Sequence, residues 1–122
     1  MTKPLDVTPD TFHGWKLDPV IDELLASAQT SHDGKSARTL VKSPALTVVL
    51  TVLRRGDALR EHHAPGPVLV VPLRGEVSFR QGNEGTPVAV DGQQVLAMGP
   101  GQPHAVVAMT DAAFLLVLGG GS

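Results

Sequence analysis

The sequence contains no cysteine, and this absence removes three kinds of chemistry at once. A chain without thiols forms no disulfides, has no thiolate nucleophile and cannot build a zinc site from cysteine ligands. The lack of disulfides is typical of proteins in a reducing compartment, so we expect a cytoplasmic location.

Aromatic residues, long apolar runs and an excess of basic residues are also missing. Three Phe and one Trp are the aromatic residues of a chain of 122, so Val, Leu and Ala must fill a single core. Ten Lys and Arg oppose twelve Asp and Glu, and no segment combines basic with aromatic residues as a nucleic-acid surface does. No run approaches the roughly 20 apolar residues of a membrane-spanning helix. We therefore expect one globular domain that binds neither nucleic acid nor a membrane.

Residues 1–34 are predicted to form an N-terminal arm of that domain with one amphipathic helix. Asp18 can cap the helix, with Pro19 at its first position. Apolar residues then recur at the spacing of one helical face over about ten residues, namely Val20, Ile21, Leu24, Leu25 and Ala28. We expect this arm to lie over the outside of a sheet.

Residues 35–118 have the pattern of a β-sandwich or barrel. Short segments rich in Val, Leu and Thr alternate with Gly, Pro, Asn and Asp at near-regular spacing. The predicted strands are 36–42, 45–54, 58–63, 67–73, 76–81, 87–91, 94–98, 104–109 and 112–118. Residues 119–122, Gly-Gly-Gly-Ser, are predicted to be a flexible tail.

Several predicted strands are apolar on both faces. Between Leu46 and Leu53 one face carries only Leu and Val, and the other alternates Thr with Val and Leu. The segments 68–73 and 114–118 are similar. Because the helix can cover only part of such a surface, we predict that a second copy of the chain covers the rest, in a homodimer.

Two segments with glycine and histidine resemble the conserved motifs of the cupin family of small β-barrels. From Gly56 to Gly75 the chain reads GDALREHHAPGPVLVVPLRG, and the first cupin motif is a glycine, five residues, His, one residue, His, three or four residues, Glu, six residues and a glycine. Gly56, His62 and Gly75 match this motif. The second motif ends in Pro, one residue, Gly, two residues and His, and Gly101 and His104 match it.

The resemblance implies an all-β fold, a double-stranded β-helix or jelly-roll-like barrel, here with a short N-terminal α-helix. It also implies a divalent metal held by two His, a Glu and the later His, commonly iron, manganese, nickel or zinc; imidazole suits copper as well. In this chain the second His position is Ala64 and the Glu position is Val68, which leaves His62 and His104. His63 is the nearest candidate for a third ligand. Adjacent strand residues point to opposite faces, but a bulge could re-aim it.

Three further residues are candidates for contact with a small-molecule ligand. Arg60 shares the facing of His62 if the strand is regular, and it would then offer a positive charge to a carboxylate. Its structural alternative is a salt bridge at the rim. Val68 and Val70 are predicted to form an apolar wall of the pocket.

Two functions remain open, and the sequence does not decide whether the protein is an enzyme. In the first, the histidines hold a divalent ion that polarises a small substrate or activates dioxygen. In the second, the same pocket binds or senses a small molecule without a metal. Cupins include dioxygenases, isomerases, decarboxylases, storage proteins and sensory modules, so the resemblance identifies a fold and not a reaction.

Overall fold

Two sheets of antiparallel strands make up most of the chain. The computed structural model describes residues 3–30, 35–82 and 85–120, with the side chains of 30 and 60–62 excepted, and contains over that range one helix and nine strands. The helix is α1 (Leu17–Thr30), and the strands are β1 (Lys35–Ser43), β2 (Leu46–Leu53), β3 (Ala58–His62), β4 (Val68–Arg74), β5 (Val77–Gln81), β6 (Val88–Val90), β7 (Leu96–Met98), β8 (His104–Ala108) and β9 (Ala112–Gly119). One sheet has the order β1-β2-β9-β4-β7 and the other β3-β8-β5-β6.

The strand pairing is nested. β2 pairs with β9, β3 with β8, β4 with β7 and β5 with β6, in each case antiparallel. One long hairpin with its turn between β5 and β6 produces this pattern when successive strands alternate between two sheets. The arrangement is a double-stranded β-helix, so the predicted jelly-roll-like barrel with an N-terminal helix is confirmed. The largest difference from the predicted strand ends is in β7, expected from residue 94 and observed from Leu96.

Apolar side chains from both sheets fill the space between them. Aliphatic residues dominate this core because the chain has few aromatic ones, and Phe79 and Phe114 meet edge to face with 6.0 Å between ring centroids. The other buried members are Leu53, Val68, Val70, Val77, Val90, Val106, Ala108 and Ala112.

The helix packs on the outer face of the five-stranded sheet, as predicted. Its buried residues Ile21, Leu24 and Ala28 form a second core with the outward side chains of β1, β2 and β9. Glu23 on the helix also accepts a hydrogen bond from Arg38 of β1, with 3.0 Å between Oε1 and Nη2.

The helix begins earlier than the sequence predicts. Because it starts at Leu17, Asp18 lies in its first turn and not at the cap. There Asp18 and Asp22 accept hydrogen bonds from Arg74 of β4, at 3.2 and 2.8 Å. The hydrogen bond with Asp22 is the main reason why the pKa of Arg74 is raised. The pattern of the helix alone could not reveal a partner 52 residues beyond Asp22.

The end of β9 is better ordered than the predicted tail. Gly119 belongs to the strand and donates its N–H to the Pro67 carbonyl, and Gly120 donates to the Ala45 carbonyl, both at 2.9 Å. The prediction of a flexible tail is therefore wrong for these two glycines, while 121–122 lie outside the described residues. No helix in the described part of the chain is long and apolar enough to cross a membrane.

Gly75 has a conformation and surroundings that exclude other residues. Its φ is +74°, in the left-handed region, and an added Cβ would overlap the carbonyl oxygen of Asp111 and lie 2.5 Å from Thr110 Oγ1. The turn before β5 thus packs directly on the turn before β9. Gly56 has a similar φ of +85°, but an added Cβ there would meet no atom within 4 Å.

We predict that Gly75→Ala lowers the free energy of unfolding by about 2–5 kcal/mol, since it adds a steric overlap to backbone strain. Gly56→Ala is the matched control, because it introduces strain alone and should lose about 1–2 kcal/mol. Urea denaturation of the two variants measures the difference. Equal losses would show that the contact between the two turns has no steric consequence.

Candidate functional site

Strand ends at one end of the barrel bring two of the predicted site residues, His62 and His104, together. β3 and β5 end there at His62 and Gln81, and β8 begins there at His104. The Cα register pairs His104 with His62 on one side and with Gln81 on the other. Three polar residues therefore form one row across β3, β8 and β5.

A bulge in β3 places His62 in this row. Leu59 pairs with Val106 and His62 pairs with His104, so β3 has one more residue than β8 between the two pairs. In a regular strand Glu61 would stand opposite His104. The placement of Arg60 beside His62 assumed a regular strand, and that assumption is wrong. The side chains of Arg60 and His62 themselves lie outside the described residues.

His104 is the buried polar residue of the site. Its side chain is 5% exposed, and its ring lies 6.3 Å from that of Phe79, between centroids. Its Nδ1 lies 3.1 Å from the carbonyl oxygen of Gln102. A carbonyl can only accept, so Nδ1 must carry the proton, and Nε2 of the neutral ring is then the atom that can accept a hydrogen bond or bind a metal.

The other predicted contact residues are placed differently. His63 follows the end of β3 and is exposed, which favours the surface over the barrel interior. Val68 and Val70 belong to the core between the sheets, and Val70 is 0% exposed. Neither valine lines the cavity next to His104. Their predicted role as the wall of a ligand pocket is wrong, because the core closes over them.

The described residues do not fit a metal centre of three or more ligands. Ala64 and Val68, at the positions of the second His and the Glu, pack in or against the core and have no donor atoms. Within the described part of the chain, no group of three His, Asp or Glu could hold a metal ion. A catalytic metal usually needs three protein ligands. The expected ion, whether iron, nickel, manganese, zinc or copper, would have to rely on His104 together with the undescribed side chain of His62.

A cavity of about 250 Å³ adjoins His104. Its polar lining includes Gln81 and His104, and the apolar lining comes mainly from Phe79, Leu96 and Met98. Arg80, Thr86 and Gln102 also line it. This volume is just below the roughly 300–1,000 Å³ typical of ligand pockets, so a small molecule would fill it. Gln81 was not among the site residues predicted from the sequence. Its alternation with Val77 and Phe79, which share the inward face of β5, is the signal that could have identified it.

Two proline-rich loops meet across this end of the barrel. The N–H of Gly101 donates to the carbonyl of Ala64 at 2.7 Å, and Gly101 has a φ of +75°. The loop of Gly101 lines the cavity beside His104, while the loop of Ala64 lines a separate groove of about 630 Å³. The hydrogen bond thus links the loop that lines the cavity to the loop that lines the groove.

Solved structures similar to this chain include cupin barrels. A cupin 2 conserved barrel domain protein from Leptotrichia buccalis is 30% identical, with a TM-score of 0.65 over 73% of this chain and 42% of that one. A conserved protein of unknown function from Streptococcus pyogenes is 28% identical, with a TM-score of 0.64 over 73% and 76% of the two chains. The salicylate 1,2-dioxygenase of Pseudoaminobacter salicylatoxidans shares 14% identity and the fold, with a TM-score of 0.72 over 84% and 32%. No protein-family model and no curated protein matches the sequence.

We predict that neutral His104 carries its proton on Nδ1, because the Gln102 carbonyl accepts it. Long-range ¹H–¹⁵N correlation spectra of the imidazole rings report the tautomer directly. The exposed His63 is the internal control and should show a mixture of both tautomers. A proton on Nε2 of His104 would mean that the ring is turned and that a different nitrogen faces any ligand.

Proposed function

This chain is a small cupin, and on that premise we propose that it binds a small molecule beside His104 without a resident metal ion. The observation that carries the proposal is that Val68 is buried in the apolar core and Ala64 packs against it, at two of the four positions where the family has metal ligands. An apolar residue at a ligand position lacks the atom that would bind a metal, and its hydrocarbon side chain occupies the space where the ligand side chain would lie. What remains is a polar row at the edge of an aliphatic cavity.

The chemistry of the cavity defines the kind of molecule that would bind. The imidazole of His104 and the amide of Gln81 are both able to form hydrogen bonds with a ligand. Leu96, Met98 and Phe79 present apolar surface. A compact molecule with an apolar body and one hydroxyl or amide group would satisfy both surfaces, because burying its polar group unpaired would be unfavourable. In this reading the protein is a binding or sensing module.

A metal-dependent activity is the second candidate, and two features favour it. The Nδ1–H of His104 is held by a backbone carbonyl, which is how metal-binding histidines are commonly oriented. His62 is the register partner of His104, so two imidazoles stand on neighbouring strands. Similar structures include a salicylate 1,2-dioxygenase and a DMSP lyase, which shows that this fold supports enzymes. Two histidines make a weaker site than the family's four ligands.

Restoring the missing ligands tests which candidate is right. We predict that Ala64→His combined with Val68→Glu binds close to one equivalent of Zn²⁺ or Ni²⁺ per chain after incubation and desalting, and that the unaltered protein retains far less. The reason is that the double variant regains the donor atoms that Ala64 and Val68 lack. Ala64→His with Val68→Gln is the matched control, because glutamine has the size of glutamate without its charge.

Circular dichroism checks that each variant is folded, since a buried Glu is unfavourable until a metal neutralises it. A folded double variant that binds no more metal than the unaltered protein would contradict the explanation from donor atoms. If the double variant does not fold, metal binding is measured on the single variant Ala64→His, which leaves the buried Val68 unchanged.

A homodimer through the five-stranded sheet is a further part of the proposal. On its outer face one cross-strand row runs through Val41, Val48, Val117, Leu69 and Ala97. Val41 is buried under the helix, whereas Leu69 is 38% exposed and Ala97 is exposed. The apolar row therefore continues beyond the edge of the helix, and a second copy would cover the remainder.

We predict that the protein is a dimer in light scattering at micromolar concentration and that Leu69→Glu makes it a monomer, since a charge would be buried in the contact. Val107→Glu is the control. Val107 is 41% exposed on the outer face of the other sheet, so that variant should remain dimeric. A monomeric unaltered protein, or equal effects of the two substitutions, would overturn this interface.

A further inference from the structure

The groove beside the Ala64 loop is separate from the cavity at His104. Its volume is about 630 Å³, within the range of roughly 300–1,000 Å³ typical of ligand pockets. It lies between the N-terminal segment, the β1–β2 turn, the Ala64 loop and the end of β9, and shares no lining residue with the cavity. Ala64, Pro44, Pro65 and Leu118 give it apolar surface.

Two opposite charges line the groove, on Lys42 and Asp6. Among the described residues the ion pairs join Arg38, Arg54 and Arg74 to carboxylates, and Lys42 and Asp6 take part in none of them. Lys42 is exposed and pairs in register with Thr47 of β2, which lines the same groove. The ammonium group of Lys42 and the carboxylate of Asp6 thus line the same groove without forming an ion pair with each other.

Asp6 is held in position by the strand next to it. The N–H of Leu5 donates to the Leu40 carbonyl and the N–H of Lys42 donates to the Leu5 carbonyl, both at 2.9 Å. Ser43 Oγ then donates to Asp6 Oδ1 at 2.8 Å and accepts from the N–H of Val7 at 2.7 Å. These bonds fix the N-terminal segment against the edge of β1, so the carboxylate is arranged before any ligand arrives.

We propose that this groove binds a zwitterionic molecule with an apolar body, such as a free dipeptide with one aliphatic side chain. The ammonium group of the ligand pairs with Asp6, its carboxylate pairs with Lys42, and its side chain lies against Leu118 and the prolines. A simple anion would meet Asp6 and a simple cation would meet Lys42, so each would gain one favourable charge and one unfavourable one. A molecule with both charges satisfies the two ends together.

Titration of the ¹⁵N-labelled protein with alanyl-leucine tests this site. The amide signals of Thr47, Gly119 and Gly120 should shift together, and those of Ala97 and Met98 at the cavity should not. Lys42→Met and Asp6→Asn should each raise Kd about fivefold, the upper range for a partly exposed ion pair. Asp6→Asn keeps an oxygen that can accept from Ser43, so the segment stays in place. Lys16→Met, which removes an exposed lysine outside the groove, should leave Kd unchanged.

Capped peptides identify which charge meets which residue. With the N-acetylated dipeptide, Asp6→Asn should no longer change Kd while Lys42→Met still raises it; with the C-amidated dipeptide the two effects should exchange. The proposal is overturned if alanyl-leucine shifts no groove signals at millimolar concentration, if neither substitution weakens binding, or if the doubly capped dipeptide binds as well as the free one. Because groove and cavity are read from different amides, each result stands apart from the proposal for the His104 cavity.

Discussion

The register of β3 against β8 is the constraint on which the site depends. One extra residue between Leu59 and His62 moves His62 opposite His104, and Gln81 stands on the other side of His104 in β5. Successive side chains of a strand point to opposite faces of the sheet. A bulge of one residue therefore changes which face each of the following side chains points to. The bulge lies directly before the loop that crosses to β4. The polar row exists because β3 and β5 end, and β8 begins, at the same level of the barrel.

The apolar residues at Ala64 and Val68 change what this barrel end can do. At two of the four positions where the resemblance to cupins implies metal ligands, this chain has an apolar side chain, with Val68 in the core and Ala64 packed against it. The core between the sheets thereby reaches His104, whose imidazole is buried against Phe79 and oriented by the Gln102 carbonyl. In the proposed function, this buried and oriented imidazole would contact the polar group of an otherwise apolar molecule. A hydrogen bond joins the loops that contain Ala64 and Gly101. The loop of Ala64 also lines the separate groove.

Much of the fold was predictable because it depends on local signals. Alternating Val, Leu and Thr between turn residues located every strand, and the spacing of Ile21, Leu24 and Ala28 located the helix and its buried face. The site was less predictable because it depends on pairing between distant strands. The bulge before His62 and the pairing of Gln81 with His104 are properties of two strands together, and no single segment contains them. Val68 and Val70 were assigned the correct face, but parity could not show that the core closes over them.

The central claim is that this barrel works without a resident metal, and elemental analysis of the untagged protein tests it most directly. The protein would be purified with neither added metal nor chelator, and iron, nickel, manganese, zinc and copper would be measured per chain. The account predicts a total well below one equivalent, because Ala64 and Val68 leave too few donor atoms to retain an ion through purification. A value near one equivalent of a single metal would contradict it and would show that His62 and His104 hold an ion with ligands other than those of the family.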